Sequence, residues 1–270
     1  MSVIAQDLIN HLENFAPLSL KMAHDPTGFQ IGSHQKKVSR VLVTLDVRPE
    51  VVQEAIDKKI DFIFSHHPVM FHQARNLDLS DPQNQMYADI LKHDMTVYAA
   101  HTNLDVTHPG MNDWLAAAMH LTNVLPFGAI AHDDGTMDPV GCIGELPQAM
   151  TVMDFAKQVR QEFNLTGLRL VSHEPDKMIK KVAVVGGDGG KFFKQAIAAG
   201  ADVYVTGDVY YHTGHDMLAY GLSVVDPGHH VEAIMVPKMA AEIQKWSDEN
   251  SWDLTVLQSQ PNTDPFTFIF

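Results

Sequence analysis

Two stretches of this chain match each other in one register, Arg40 against Lys181, and that internal repeat restricts the fold more than any other feature of the sequence. RVLVTLDVRPEVVQEAIDKKIDFIFSHHP from Arg40 lies without gaps on KVAVVGGDGGKFFKQAIAAGADVYVTGDV from Lys181. Identities fall at Val41 and Val182, Val43 and Val184, Ala55 and Ala196, Ile56 and Ile197, and Asp61 and Asp202. Both copies read strand, turn, helix, strand, polar turn. All βαβ units share such a pattern, so coincidence is the competing account, but identities held in register favour a duplicated module.

Apolar β-like runs alternate with helical patterns along the whole chain, which predicts mainly parallel sheets covered by helices. Strands are expected at Arg40 to Leu45, Asp61 to Phe64, Met95 to Ala100, Lys181 to Val185, Asp202 to Val205 and Leu222 to Val225. Helices are expected at Pro49 to Lys59, Pro82 to His93, Gly110 to His120, Thr151 to Phe163, Gly190 to Ala199, His212 to Tyr220 and Val231 to Asn250. Pro49 and Pro82 suit a first helical turn, whereas Pro237 inside the last pattern predicts a kink or a fresh start. The segment from Leu121 to Pro175, richer in Gly, Pro and Met, is expected to connect the two modules. The division is then 1–125 for a first α/β lobe and 126–270 for a second, with the last helix and strand free to pack back on the first.

Composition narrows the function classes. No apolar run reaches the roughly 18 residues of a spanning helix, and MSVIAQDLINHLENFAP has no basic region before an apolar block, so neither a membrane span nor a secretory leader is expected. Lys and Arg number 19 against 33 Asp and Glu, and the net charge of -14 disfavours broad binding to nucleic-acid phosphates or an anionic membrane. The single cysteine, Cys142, excludes an internal disulfide and a Cys-rich zinc site and fits a reducing cytoplasm. Sixteen histidines, by contrast, are nearly as many as all Lys and Arg together. Histidine is the commonest metal ligand, so their placement becomes the functional question.

Functional side chains in open parallel sheets gather just past the carboxyl ends of strands. Here those ends read Ser65-His66-His67-Pro68, His101-Thr102-Asn103-Leu104-Asp105, Thr206-Gly207-Asp208, and Asp226-Pro227-Gly228-His229-His230-Val231-Glu232. Each has an ordinary reading. HHP alone is as often a pair of locally bonded histidines, HTNLD makes a good turn and cap, and a Glu in a first helical turn is favoured by the dipole. Jointly they favour a shared site. His229 and Glu232, spaced i, i+3, share a face; His66 and His67 diverge and suit two ions. The set His66, His67, Asp105, His229 and Glu232 offers only nitrogen and oxygen, which suits Zn, Mn, Fe, Co or Ni. Two such ions, about 3.5 to 4 Å apart, would activate water at neutral pH. The GGDGG run at Gly186 to Gly190 sits where backbone N–H groups can cradle a phosphate, yet it matches no nucleotide fingerprint, and close packing of helix on strand explains its glycines better. Asp208 and His212 read either as supports of the site or as turn and cap residues.

These residues resemble the GTP cyclohydrolase I type 2 homologue family, also called NGG-interacting-factor-three-like. The resemblance rests on SHHP at Ser65, HTNLD at His101 followed by Gly110-Met111-Asn112-Asp113, and Asp226-Pro227-Gly228-His229 with Glu232; Gly28-Phe29-Gln30-Ile31-Gly32 and Thr206-Gly207-Asp208 with His212 agree. It spans nearly the whole chain. It implies two related three-layer α/β lobes, a dinuclear metal centre at strand carboxyl ends between them, and a toroidal homohexamer. The family's ligands fall on His66, His67, Asp105, His229 and Glu232, and His101 matches a histidine near the metals. The implied activity is hydrolytic opening of the guanine imidazole ring of GTP by a metal-bound hydroxide, with His101 or His212 moving protons. This sequence departs from the pattern at Pro26, where many members carry Asn, and in the spacing of three from His229 to Glu232, where some use four. The alternative function is a non-enzymatic metal carrier or a toroidal scaffold; nucleic-acid binding is disfavoured by charge.

Overall fold

Val41, Leu42 and Val43 are all buried, as are Phe62, Ile63 and Phe64, so these strands carry continuous apolar runs rather than an alternation. Such runs belong to central parallel strands with both faces covered. The computed structural model describes residues 3–269. They form two units, one running to Thr107 and completed by Met235–Thr263, the other formed by His108–Ile234 and the chain from Asp264. Among the described residues no helix is long and apolar enough to cross a membrane.

The first unit's sheet has the order Thr255–Gln258, Arg40–Thr44, Phe62–Ser65, Thr96–Ala99, Gly28–Ile31. Its first four strands run parallel and the last is antiparallel. Leu42, Ile63 and Val97 face the helices Pro49–Asp57 and Pro82–Lys92, meeting Val51, Val52, Ala55, Met86 and Ile90. The helix Met235–Glu249 packs on the Arg40–Thr44 and Thr255–Gln258 strands and completes three layers. Both crossover helices start on a proline at the tolerated position, and Asp81 caps the second by accepting from the Gln83 N–H at 2.8 Å. Gly32 turns the chain at φ 107°, and a Cβ there would stand 2.6 Å from the Met95 carbonyl oxygen, so only glycine fits.

The second unit's sheet is mixed, in the order Arg169–Val171, Ser223–Asp226, Val203–Val205, Met178–Val184, Gly141–Thr151, Thr122–Phe127. Three central parallel strands are flanked by antiparallel ones. The segment 121–175, expected as a connection, therefore supplies three strands of this sheet, a separate two-stranded pair and the helix Val152–Glu162. Its glycines and proline have sheet roles: a Cβ on Gly141 would stand 2.4 Å from the Val184 carbonyl oxygen, and Pro147 falls where the register shifts between Glu145 and Met150. A proline in such a bulge loses no ladder bond. The boundary expected at residue 125 lies inside the Thr122–Phe127 strand.

The repeat is visible bond by bond. Asp61 accepts from the Ser39 and Arg40 N–H groups at 2.9 and 3.0 Å, and Asp202 accepts from those of Lys180 and Lys181 at 2.9 and 2.8 Å. Arg40 donates to the Lys58 carbonyl at 2.7 Å, as Lys181 does to that of Ala199 at 2.8 Å. Val41 pairs with Phe62, and Val182 with Val203. The shared aspartate is therefore a clip joining the starts of two neighbouring strands, a reason for its identity that burial alone does not supply. At the other uncertain point, Pro237, the chain makes a fresh start: a 3-10 turn at His229–Ile234 gives way to the helix Met235–Glu249, with Pro237 in its first turn.

Candidate metal centre

In the first unit, the Phe62–Ser65 strand ends in a turn closed by the Ser65 hydroxyl, which donates to the His67 carbonyl at 2.9 Å. His66 is fully buried and its Nδ1 meets the Ala100 carbonyl at 2.8 Å. His67 Nδ1 meets Asp46 at 2.6 Å, and His101 Nδ1 meets Asp25 at 2.8 Å. The three rings lie 4.8 to 5.6 Å apart, and one ring nitrogen of each lies within 4.8 Å of the others. Asp105, one turn along the short helix Thr102–Val106, places Oδ1 3.7 Å from His66 Nε2.

Asp25 is itself held from several sides. It is buried, accepts from the Thr27 hydroxyl at 2.6 Å and the Thr102 N–H at 3.2 Å, and takes a short bond from the Thr102 hydroxyl. Burial alone would raise its pKa, but the hydrogen bond and charge of His101, with the two hydroxyls, overcome this and hold the carboxyl well below the usual range. Gln30 of the GFQIG motif fixes the same segment, donating to the Pro26 and Gly28 carbonyls at 2.7 and 3.1 Å. Pro26, the departure from the family pattern, keeps the carbonyl this bond needs.

In the second unit, buried Asp226 organises two turns. It accepts from the Gly228 N–H at 2.9 Å and the Val209 N–H at 3.0 Å, and pairs closely with Arg169. His229 Nδ1 meets Asp208 at 2.7 Å, and Nε2 lies 3.2 Å from Glu232 Oε2. The spacing of three works because His229–Ile234 is a 3-10 turn, in which side chains at i and i+3 eclipse. Separations of 3.2 Å here and 3.7 Å between His66 and Asp105 bracket the about 3.4 Å edge of a tetrahedron with metal–ligand bonds of about 2.1 Å.

The GGDGG loop makes room for this pair. A Cβ on Gly187, which has φ 56°, would stand 2.8 Å from Glu232 Oε1 and 3.1 Å from His229 Nε2. Three of the loop's N–H groups are used within the protein: Gly186 donates to Asn112 and Gly189 to the Thr206 hydroxyl, both at 2.8 Å, and Gly190 to Asp188 at 3.4 Å. A phosphate cradle would need such groups to point at the ligand. His212 lies exposed on the helix Tyr211–Ala219, its ring 5.3 Å from that of Tyr211, and belongs to none of the His and carboxylate groups whose ligating atoms lie within 4.8 Å among the described residues.

All four site histidines thus commit Nδ1 to a carbonyl or carboxylate, which leaves Nε2 as the nitrogen available to a metal or a proton, the arrangement in which a metal-binding imidazole is held by its outer partner. Cys142 belongs to none of the candidate ligand groups among the described residues, and burial first, and then Asp113, push its thiol up to about 12. Sequence reasoning gives no role to Asp25 or Asp46, and Asp226 enters it only as part of the Asp226-Pro227-Gly228-His229 motif. Asp46 closes the turn after the first repeat strand and Asp25 precedes GFQIG, but neither stands at a helical or strand spacing from its histidine.

The family model for DUF34/NIF3 (NGG1p interacting factor 3) matches residues 3–265. A Streptococcus pneumoniae protein named GTP cyclohydrolase 1 type 2 homolog is 42% identical over 270 residues, covering 99% of this chain and 100% of that one. A Bacillus subtilis protein of the same name is 30% identical over 371 positions, covering 99% of each. The crystal structure of a Bacillus cereus protein related to NIF3 superposes with a TM-score of 0.91 at 29% identity, covering 99% of both chains.

Proposed function

This chain belongs to the DUF34/NIF3 family, and on that footing we propose that it is a metal-dependent hydrolase that opens the guanine imidazole ring of GTP, with His66, His67, Asp105, His229 and Glu232 holding two divalent cations. The observation that carries the metal reading is the engagement of Nδ1 in every site histidine, by Ala100, Asp46, Asp25 and Asp208. Ions bound by these nitrogen and oxygen donors supply Lewis acidity toward water and toward the substrate ring. His101, turned by Asp25, accepts and returns a proton at Nε2 beside His66 and His67, and the buried carboxylate stabilises the ring when it is charged. His212 is the second proton carrier of the proposal, and its exposure gives it exchange with solvent.

The guanine-ring reaction is supported by relatives named GTP cyclohydrolase 1 type 2 homolog. Protein loaded with Zn, Mn, Fe or Co is incubated with GTP and the formamidopyrimidine product is followed by absorbance and mass. Absence of product with every metal, together with passage of the metal to an apoenzyme, establishes a carrier in place of an enzyme. Assembly as a homohexameric toroid in the cytoplasm belongs to the same proposal, and sedimentation of the metal-loaded chain tests the hexamer.

A further inference from the structure

We propose that Phe71 determines specificity as an aromatic platform that holds a planar nitrogen heterocycle beside His101. The inference rests on the hydrolase reading for its reacting centre and adds the group that recognises the substrate ring. Phe71 is 58% exposed, yet its ring stands 6.2 Å from the His101 ring at 78°. A scattered surface phenylalanine needs no explanation, but here the chain leading into it is held. Val69, two residues before it, is buried, and its carbonyl accepts from Gln83 at 3.0 Å and the Tyr87 hydroxyl at 3.1 Å. The Met70 N–H donates to Gln30 at 3.2 Å. Gln30 is also the residue that fixes the segment carrying Asp25, so the clamp that orients His101 also sets the base of the Phe71 loop.

The chemistry of that rim selects flat, aromatic ligands. An exposed phenyl ring beside an imidazole edge offers a face for offset stacking, and a purine or pterin has a matching face while a sugar phosphate has none. Phe71 is 58% exposed and is not among the buried core residues, so its replacement is expected to leave folding and metal content unchanged.

The test uses the metal-loaded full chain with Phe71→Trp and Phe71→Ala. Tryptophan emission, differenced against the wild type, is followed while GTP, guanosine, a pterin and ribose 5-triphosphate are added. The expected result is quenching by the heterocycles and not by ribose 5-triphosphate, with heterocycle affinity falling about tenfold or more in Phe71→Ala, the scale of one lost base stack. Quenching by guanosine or the pterin without GTP ring opening keeps the platform and removes the GTP reaction. Heterocycle binding that is equal in wild type and Phe71→Ala, or no quenching by any heterocycle, overturns the proposal.

Discussion

Replacing Gly187 by alanine separates two roles that a glycine-rich loop beside a metal centre can have. Its φ of 56° is left-handed, and an alanine there costs about 1–2 kcal/mol of stability. The new Cβ also meets Glu232 Oε1 at 2.8 Å and His229 Nε2 at 3.1 Å, both at the far ends of side chains, so the expected response is displacement of the ligand atoms. Gly200→Ala is the matched control. It has φ 79° and a comparable backbone cost, but its Cβ meets only Lys181 Nζ, at 3.6 Å. Denaturant unfolding of the metal-free proteins should show similar losses for both variants. Metal titration should show affinity about 10- to 100-fold weaker for Gly187→Ala, the scale seen when a ligand's support is disturbed, and unchanged for Gly200→Ala. Wild-type affinity in Gly187→Ala, or equal weakening in both, refutes the reasoning.

The depressed pKa of Asp25 stabilises the folded state above the unfolded carboxyl pKa of about 3.9, and that contribution is lost as pH falls through the folded value. The stability difference between wild type and Asp25→Asn should therefore be constant near neutrality and shrink in strong acid, as read by unfolding curves at a series of pH values. Cys142, buried and with its thiol pushed up to about 12, should resist iodoacetamide at pH 8 in the native protein and react fully once unfolded. Asp208→Asn should weaken metal binding about 10- to 100-fold by loosening His229, whereas His212→Ala should leave metal content unchanged.

How far these features were legible from the sequence depends on how local their causes are. The central strands of each repeat are continuous apolar runs bounded by polar turns, so Arg40–Thr44 and Val203–Val205 fall within a residue or two of where periodicity places them. The strand-end turns follow from those strands, which is why SHHP and HTNLD stood out and why His66, His67 and His101 are found together. The Gly141–Thr151 strand was missed because its glycines and Pro147 read as loop signals, although they serve close packing and a bulge. Asp25 and Asp46 reach their histidines across 76 and 21 residues, distances with no signature in a single sequence. The spacing of three from His229 to Glu232 departs from relatives that use four, and a 3-10 turn, which a sequence pattern does not distinguish from a first α-helical turn, brings the two side chains into line.

The central claim is that histidines locked at Nδ1 present Nε2 to two divalent cations. Anomalous diffraction from crystals of the metal-loaded protein tests it directly. Two ions per chain are expected, ligated through Nε2 of His66, His67 and His229 and by the carboxylates of Asp105 and Glu232. Ions bound elsewhere, or Nδ1 ligation with the contacts to Ala100, Asp46 and Asp208 broken, would contradict it.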